Sequence, residues 1–229
     1  MNDPRFYERK LVATGDGSHS IYLPAFDEHY HSTHGALRES LHVFIKHGYE
    51  ELIYKVSARL RILEMGFGTG LNALLTWERN RHVAVSVDYT SLEAFPVDAS
   101  TAAQLNYPGE LKSPDGEEIF MKMHTCPWEV KENFGSNFSL LKLETTLADF
   151  QPEGQYDLVY YDAFAPRVQP ELWTRDVFEK LFACMCPGSL LVTYCAKGEV
   201  KRNLKAAGFL VETVPGPPGK REMTRAKKP

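Results

Sequence analysis

An apolar run that ends in an acid and then breaks into three alternate glycines, Arg61-Ile62-Leu63-Glu64-Met65-Gly66-Phe67-Gly68-Thr69-Gly70, sets the strongest limit on how this chain can fold. Ile62, Leu63 and Met65 read as a short buried strand, and Leu71, Leu74 and Leu75, with Trp77 close by, read as the helix that follows. Strand, glycine turn and helix form the nucleotide-gripping unit of a doubly wound sheet. The glycines let the backbone bend sharply and approach a ligand with no Cβ in the way.

Spacing separates the cofactors such a unit can hold. A dinucleotide fingerprint is G-x-G-x-x-G with the pyrophosphate on the helix N-terminus, whereas here the third glycine comes one residue early and Leu71 takes its place. Glu64, just before the turn, would repel a phosphate but suits a cofactor with cationic groups, such as the sulfonium and amino groups of S-adenosylmethionine. An acid about 20 residues onward is expected to hold a ribose diol, and Glu93 closes the next apolar run, Val83 to Leu92.

The 229 residues suffice for one α/β core with an insertion and are too few to suggest two full domains. The division expected is an N-terminal hairpin and roof helix over 1–57, then a Rossmann-like core over 58–229 interrupted at about 106–138. No apolar run reaches the roughly 18 residues of a membrane span. Met1-Asn2-Asp3-Pro4 lacks the charged and apolar regions of a signal peptide, so the expected location is the cytoplasm. Cys126, Cys184, Cys186 and Cys195 have no metal spacing and read as buried reduced thiols. His29, His31 and His34 cluster, but a zinc site needs a fourth ligand that cannot be placed, so no metal is expected. The net charge of -4 is uneven: from Lys197 onward nine basic residues face three acids, a local charge of +6 against -10 for the rest. A basic end on an acidic body suggests an anionic partner that meets one face.

Along the chain, Arg9 to Leu23 flanks Thr14-Gly15-Asp16-Gly17, a hairpin signal. Ser32 is a candidate N-cap for a helix with the stripe Leu37, Leu41, Phe44 and Ile45, placed to roof a pocket. A helix is expected over Val97 to Leu105, and turns with short strands from Tyr107 to Phe138, where Pro108, Gly109, Pro114, Gly116, Pro127 and Gly135 fall. The chain re-enters the sheet at Leu140 to Leu143. Tyr156 to Tyr161 reads as a central parallel strand with Asp162 at its C-terminal end, where open α/β sheets bind ligands. Asp162-Ala163-Phe164-Ala165-Pro166 offers what an amine-methylating site needs: an acceptor for amine hydrogens, an apolar wall and a rigid turn. A helix from Pro170 to the residues before Pro187-Gly188, a strand Leu190 to Tyr194, a helix Glu199 to Ala207 and a final pair of strands around Pro215 to Gly219 complete a doubly wound, mostly parallel sheet of about seven strands.

These segments, together with Asp16-Gly17-Ser18, Phe26-Asp27-Glu28-His29-Tyr30, Glu39 with Val43-Phe44-Ile45, Gly66 to Asn72, Ser91 to Pro96, Asp162 to Pro166, Trp173-Thr174 and Gly219-Lys220-Arg221-Glu222-Met223, resemble the methyltransferase family of the tRNA-modifying protein MnmC over nearly the whole chain. The resemblance implies a Rossmann-like methyltransferase fold and S-adenosylmethionine-dependent N-methylation of 5-aminomethyl(-2-thio)uridine at the tRNA wobble position. The cofactor contacts expected are Glu64, Gly66, Phe67, Gly68, Thr69, Gly70, Glu93 and Asp162. Asp162 is also the expected catalytic residue, orienting the amine, with Tyr161, Phe164 and Trp173 as its apolar pocket. Phe164, Lys220 and Arg221 are the expected substrate contacts, the two cations on phosphates of the tRNA. Many relatives carry a C-terminal flavin-dependent oxidase that makes the amine; this chain stops before one, so it is expected to receive its amine by another route, such as a separate enzyme, or to act on something else. The Gly-Asp that usually reaches the adenine is replaced here by Leu143-Glu144-Thr145-Thr146-Leu147, and no adenine contact is assigned. Two competing readings are a methyl- or aminopropyltransferase for a free amine and a non-catalytic RNA-binding protein.

Overall fold

The computed structural model describes residues 7–152 and 154–229, and the reading of Met1 to Pro4 lies outside the described residues. The hairpin forms as the Asp-Gly turn dictates. Strands β1 (Lys10–Ala13) and β2 (His19–Leu23) pair antiparallel, and β3 (Glu28–His29) adds to β2, giving a small sheet separate from the main one. Asp16 holds the turn by accepting from Ser18 N at 3.1 Å and from Arg38 N at 2.9 Å.

The roof helix runs as α1 (Ala36–Ser40), a π-wound stretch (Leu41–Tyr49) and α2 (Glu50–Leu52). Ser32 is not its N-cap. That position belongs to Gly35, at φ 144°, while Ser32 makes a tighter turn, its Oγ accepting from His34 N. The long helix lies on the sheet at Gly48, where a Cβ would come within 3.1 Å of Tyr160 and Val192.

The main sheet is built from β4 (Arg59–Met65), β5 (Ser86–Glu93), β6 (Lys131–Asn133), β7 (Phe138–Glu144), β8 (Tyr156–Tyr161), β9 (Met185–Thr193), β10 (Leu210–Pro215) and β11 (Glu222–Lys227). Helices α3 (Leu71–Asn80), α4 (Ala99–Ala102), α5 (Tyr107–Leu111), α6 (Gly116–Thr125), α7 (Arg175–Ala183) and α8 (Gly198–Ala206) connect them. The strand order is β10-β11-β9-β8-β4-β5-β7-β6, with β4, β5, β7, β8 and β9 parallel and with β11 and β6 antiparallel to their core neighbours. Eight strands therefore replace the expected seven, the extra one being the edge strand β6.

That strand belongs to the segment expected to be turns and short strands, which is mostly helical instead. Its prolines and glycines delimit helices rather than prevent them: Pro108 stands in the first turn of α5 and Gly116 is the first residue of α6. Glu117 and Glu118 begin α6 and Lys122 lies in its last turn, complementing the helix dipole. The helix expected over Val97 to Leu105 is confined to α4, capped by Asp98 through Thr101 N. The helix expected from Pro170 is a 3-10 turn (Pro170–Trp173) followed by α7, and it stops before Met185 because β9 starts there and runs through Pro187 and Gly188. Proline is tolerated at this point because the ladder to β8 is irregular between Tyr156 and Leu158.

Alternation along β4 sends Leu60 and Ile62 into one core, under α3 and the roof helix, and Leu63 and Met65 into the other, under α7 and α8. Glu64 shares the face of Leu60 and Ile62 and is 1% exposed. No helix among the described residues is long and apolar enough to cross a membrane.

Candidate active site

From β4 the chain winds outward to β5 and β7, and from β8 it winds the other way to β9, so the C-terminal ends of β4 and β8 flank the point where the order reverses. The two ends touch: a Cβ on Gly66 would lie 3.3 Å from the Asp162 carbonyl oxygen. Gly66, Gly68 and Gly70 all have positive φ, at 90°, 51° and 72°. In this bend Gly66 N and Phe67 N donate to Leu92 O, Gly68 N donates to Glu93 Oε2 at 2.8 Å, and Gly70 N donates to Phe67 O. With those four amides engaged, the loop is poorly suited to cradle a phosphate. Glu93 Oε1 accepts from Phe95 N at 2.9 Å, and each of its oxygens keeps a second lone pair for a ligand.

Behind the bend lies a cluster of buried polar groups. Glu64 Oε2 accepts from Ser91 Oγ at 2.6 Å, while Glu64 Oε1 has no hydrogen-bond partner. Burial pushes the Glu64 carboxyl up to about 8, against the Ser91 hydrogen bond; Tyr89 and Asn72 stand near enough to lower it without completing a bond to Oε1. Asn72 Nδ2 donates to Asp162 Oδ2 at 2.8 Å, and Asn72 Oδ1 is buried without a partner. Asp162 is raised to about 7, by burial first and Glu39 second, with Asn72 and Lys220 acting in the opposite direction.

Both carboxyls are ionised in an unfolded chain from about pH 4 to 5 upward and are largely neutral in the folded one until about 7 to 8. The unfolded state therefore binds fewer protons across this window, and stability falls as pH rises through it. We expect the cofactor-free protein to lose melting temperature between pH 5 and 8, and Glu64→Gln to flatten that slope. Thermal melts at constant ionic strength check this; equal slopes for the two proteins would refute the assignment.

The wall facing this cluster comes from the N-terminal sheet. Tyr30 covers the bend, with its ring 3.2 Å from where a Gly68 Cβ would stand, and meets Phe164 edge-on at 5.1 Å. His31 Nε2 bonds Thr69 Oγ1 at 2.7 Å, Arg9 donates to Phe95 O and Pro96 O, and Arg167 pairs with Glu28 at 2.7 Å and donates to Phe26 O and Asp27 O. The cover expected of the roof helix is thus supplied by the segment before it.

Several expected site residues face elsewhere. Phe67 is buried against His124 and Trp128, anchoring α6, and the Thr69 hydroxyl is committed to His31. Tyr161 and Trp173 are buried in the α7 side of the core; they support the crevice instead of lining it, with Trp173 Nε1 donating to Phe164 O at 2.8 Å. Lys220 turns inward, its Nζ 2.5 Å from Glu39 Oε1 and 4.1 Å from the centre of the Tyr194 ring, whereas Arg221 is exposed.

Residues 129–229 match a family model described as S-adenosyl-L-methionine-dependent methyltransferase. The bifunctional protein MnmC of tRNA 5-methylaminomethyl-2-thiouridine biosynthesis is 31% identical in Cupriavidus necator and 33% identical in Paracidovorax citrulli, each over 90% of this chain. The chain spans 32% and 33% of their lengths, about a third of each. The crystal structure of MnmC2 from Aquifex aeolicus superposes with a TM-score of 0.75 at 26% identity, over 99% of this chain and 73% of that one. Over 90% of its length the chain is thus similar to the MnmC proteins, and over residues 129–229 to S-adenosyl-L-methionine-dependent methyltransferases.

An MnmC-like methyltransferase uses S-adenosylmethionine, and the cluster fits it. The two orphaned acceptors, Glu64 Oε1 and Asn72 Oδ1, call for a donor with several hydrogens, which an α-ammonium group is. Asn72, Glu39, Tyr30 and Tyr194 escaped assignment as site residues on sequence grounds. Asn72 left one signal, a polar residue flanking the stripe of Leu71 and Leu75 directly after the glycines. Glu39 left only its place in the resemblance, since two residues from Leu37 on a helix is the solvated side, and its burial depends on a loop far away in sequence.

Proposed function

We propose that this MnmC-like methyltransferase N-methylates 5-aminomethyl(-2-thio)uridine at the wobble position of tRNA, in the cytoplasm. The observation that carries the reading is Asp162: a carboxylate held by Asn72, beside the glycine bend, under an aromatic wall of Tyr30 and Phe164. The names of the relatives point to the same nucleoside.

When bound, S-adenosylmethionine supplies a methyl group on a sulfonium, open to attack by an amine lone pair. Glu64 and Asn72 would hold its ammonium, Glu93 its ribose diol, and the Gly66 to Gly70 backbone its approach. The chain's own task is to present a neutral amine. For a donor as basic as lysine, deprotonation at pH 7 costs about 4 to 5 kcal/mol. Asp162 accepts one amine hydrogen and fixes the direction of the lone pair, a positioning effect worth several kcal/mol. Phe164 and Tyr30 exclude water and disfavour the ammonium form.

Of the basic C-terminal stretch, Lys197, Arg202, Lys205 and Arg221 are exposed, while Lys201, Arg225 and Lys228 are taken up by Glu222, Glu212 and main-chain carbonyls. The exposed set is the proposed phosphate-binding face. Reversing Arg202 and Arg221 to Glu should weaken tRNA binding at 100 mM salt by about tenfold or more and lower the slope of log affinity against log salt by about 2. Anisotropy titrations over a salt series measure it, and an unchanged slope would remove these residues from the interface. The function itself is tested by incubating total tRNA with the protein and labelled cofactor, followed by nucleoside mass spectrometry. A methylaminomethyl product is expected. Labelled free amine with unlabelled tRNA would favour the small-molecule alternative, and no cofactor binding at all would favour the non-catalytic one.

A further inference from the structure

Lys220 is the one cation of the C-terminal stretch that reaches Asp162 from inside the fold. Its position is fixed from three sides. Glu39 Oε1 lies 2.5 Å from Nζ, and the other Glu39 oxygen is held by Ser32 N at 2.8 Å, so the carboxylate cannot follow the lysine outward. The Tyr194 ring lies 4.1 Å from Nζ, and the Tyr194 hydroxyl is tied to Ala163 O at 2.9 Å, next to Asp162 itself. The preceding Gly219, at φ 85°, packs on His34 so closely that any Cβ would clash with the imidazole ring. A side chain built only to close the sheet edge would not require a buried acid and an aromatic face inside the crevice.

We propose that Lys220, clamped between Glu39 and Tyr194, is a positioning residue whose positive charge offsets that of Glu39 and so eases the proton off an amine docked against Asp162. A neutral amine is what the reaction needs, and a neighbouring cation disfavours the ammonium form. The proton passes to the Asp162 carboxylate and from there to solvent, leaving the nitrogen lone pair free to form the new N–C bond as the donor's S–C bond breaks. Glu39 raises the Asp162 carboxyl more than Lys220 lowers it, so the lysine offsets a field that on its own would hold the amine as ammonium. This role rests on the methyltransferase reading above. The charged and titratable groups facing Lys220 are Glu39 from α1, Glu28 from β3, His31 and His34 from the segment between, Asp162 from the end of β8, and Tyr194 and Cys195 from the end of β9. His31 is held down to about 4 by burial and stays neutral through the working range.

The test follows the Asp162 carboxyl by carbon-13 NMR in the cofactor-free protein, assigned with Asp162→Asn, for the wild type, Lys220→Gln, Lys220→Arg and Glu39→Gln. Lys220→Gln should move the Asp162 midpoint up by about one pH unit, Glu39→Gln should move it down, and Lys220→Arg should restore it. The acid limb of kcat/KM for tRNA methylation should move with the midpoint, which costs Lys220→Gln about fivefold at pH 7. Lys220→Gln with a wild-type midpoint, or Lys220→Arg that fails to restore it despite a wild-type melting curve, would overturn the proposal. A wild type that shows these midpoints but leaves tRNA unmethylated would bring down the substrate reading alone, with the electrostatic role of Lys220 standing.

Discussion

Replacing Asp162 with Asn lowers turnover by about a thousandfold or more and leaves the affinity for S-adenosylhomocysteine within about tenfold of wild type. Asn keeps the shape and can still bond Asn72 in one amide orientation, so the contact at 2.8 Å survives in altered form. What disappears is the negative charge and the second acceptor that turns an amine toward the methyl donor. The loss therefore appears in kcat rather than in cofactor binding, because Glu64, Asn72 and Glu93 are untouched. Single-turnover methyl transfer paired with a calorimetric titration separates the two. Turnover within tenfold of wild type would take Asp162 out of the chemistry, and a cofactor affinity that collapses with it would make Asp162 a cofactor ligand first.

The second large effect is expected at Gly70. Its φ of 72° is left-handed, and a Cβ there would stand 2.8 Å from His124 Nε2 and 3.2 Å from Phe67 Cζ. His124 cannot easily retreat, since its ring donates to Thr69 O at 3.1 Å and packs on Phe67 at 5.2 Å and on Phe120 at 4.7 Å. Strain and displacement together should cost Gly70→Ala about 2 to 4 kcal/mol. For a chain of this size that is a melting temperature lower by about 5 to 15 °C. The bend also carries the amide that holds Glu93, so cofactor affinity should fall by about tenfold or more. Differential scanning fluorimetry with and without cofactor reads both quantities. Wild-type behaviour in both would mean that the bend tolerates a side chain and that Gly70 is not what shapes it.

What could be read from the residues was whatever local chemistry decides. The β4 to α3 unit, the hairpin at Asp16-Gly17 and the strand ending at Asp162 all follow from apolar runs closed by residues of restricted conformation. The α5 to α6 region was misread because Pro108 and Gly116 signal breaks equally well at the start of a helix and inside a loop. Pro187 misled in the same way, since its place in β9 depends on an irregular ladder that only the partner strand reveals. In the site, the positions on strand ends were legible, and those created by distant packing were not. Closeness to Asp162 in sequence suggests Tyr161 for the crevice, yet strand alternation points it into the opposite core. Glu39 and Lys220 acquire their meaning only from each other.

That pairing has a consequence for how the protein is made. Glu39 and Lys220 are 181 residues apart, so a ribosome must release all of that span before the crevice holds its cation. The earlier strands can already pair among themselves, since β4, β5 and β7 are complete by Glu144. A growing chain would thus present the Gly66 to Gly70 bend well before Lys220 is there to close the crevice over Asp162.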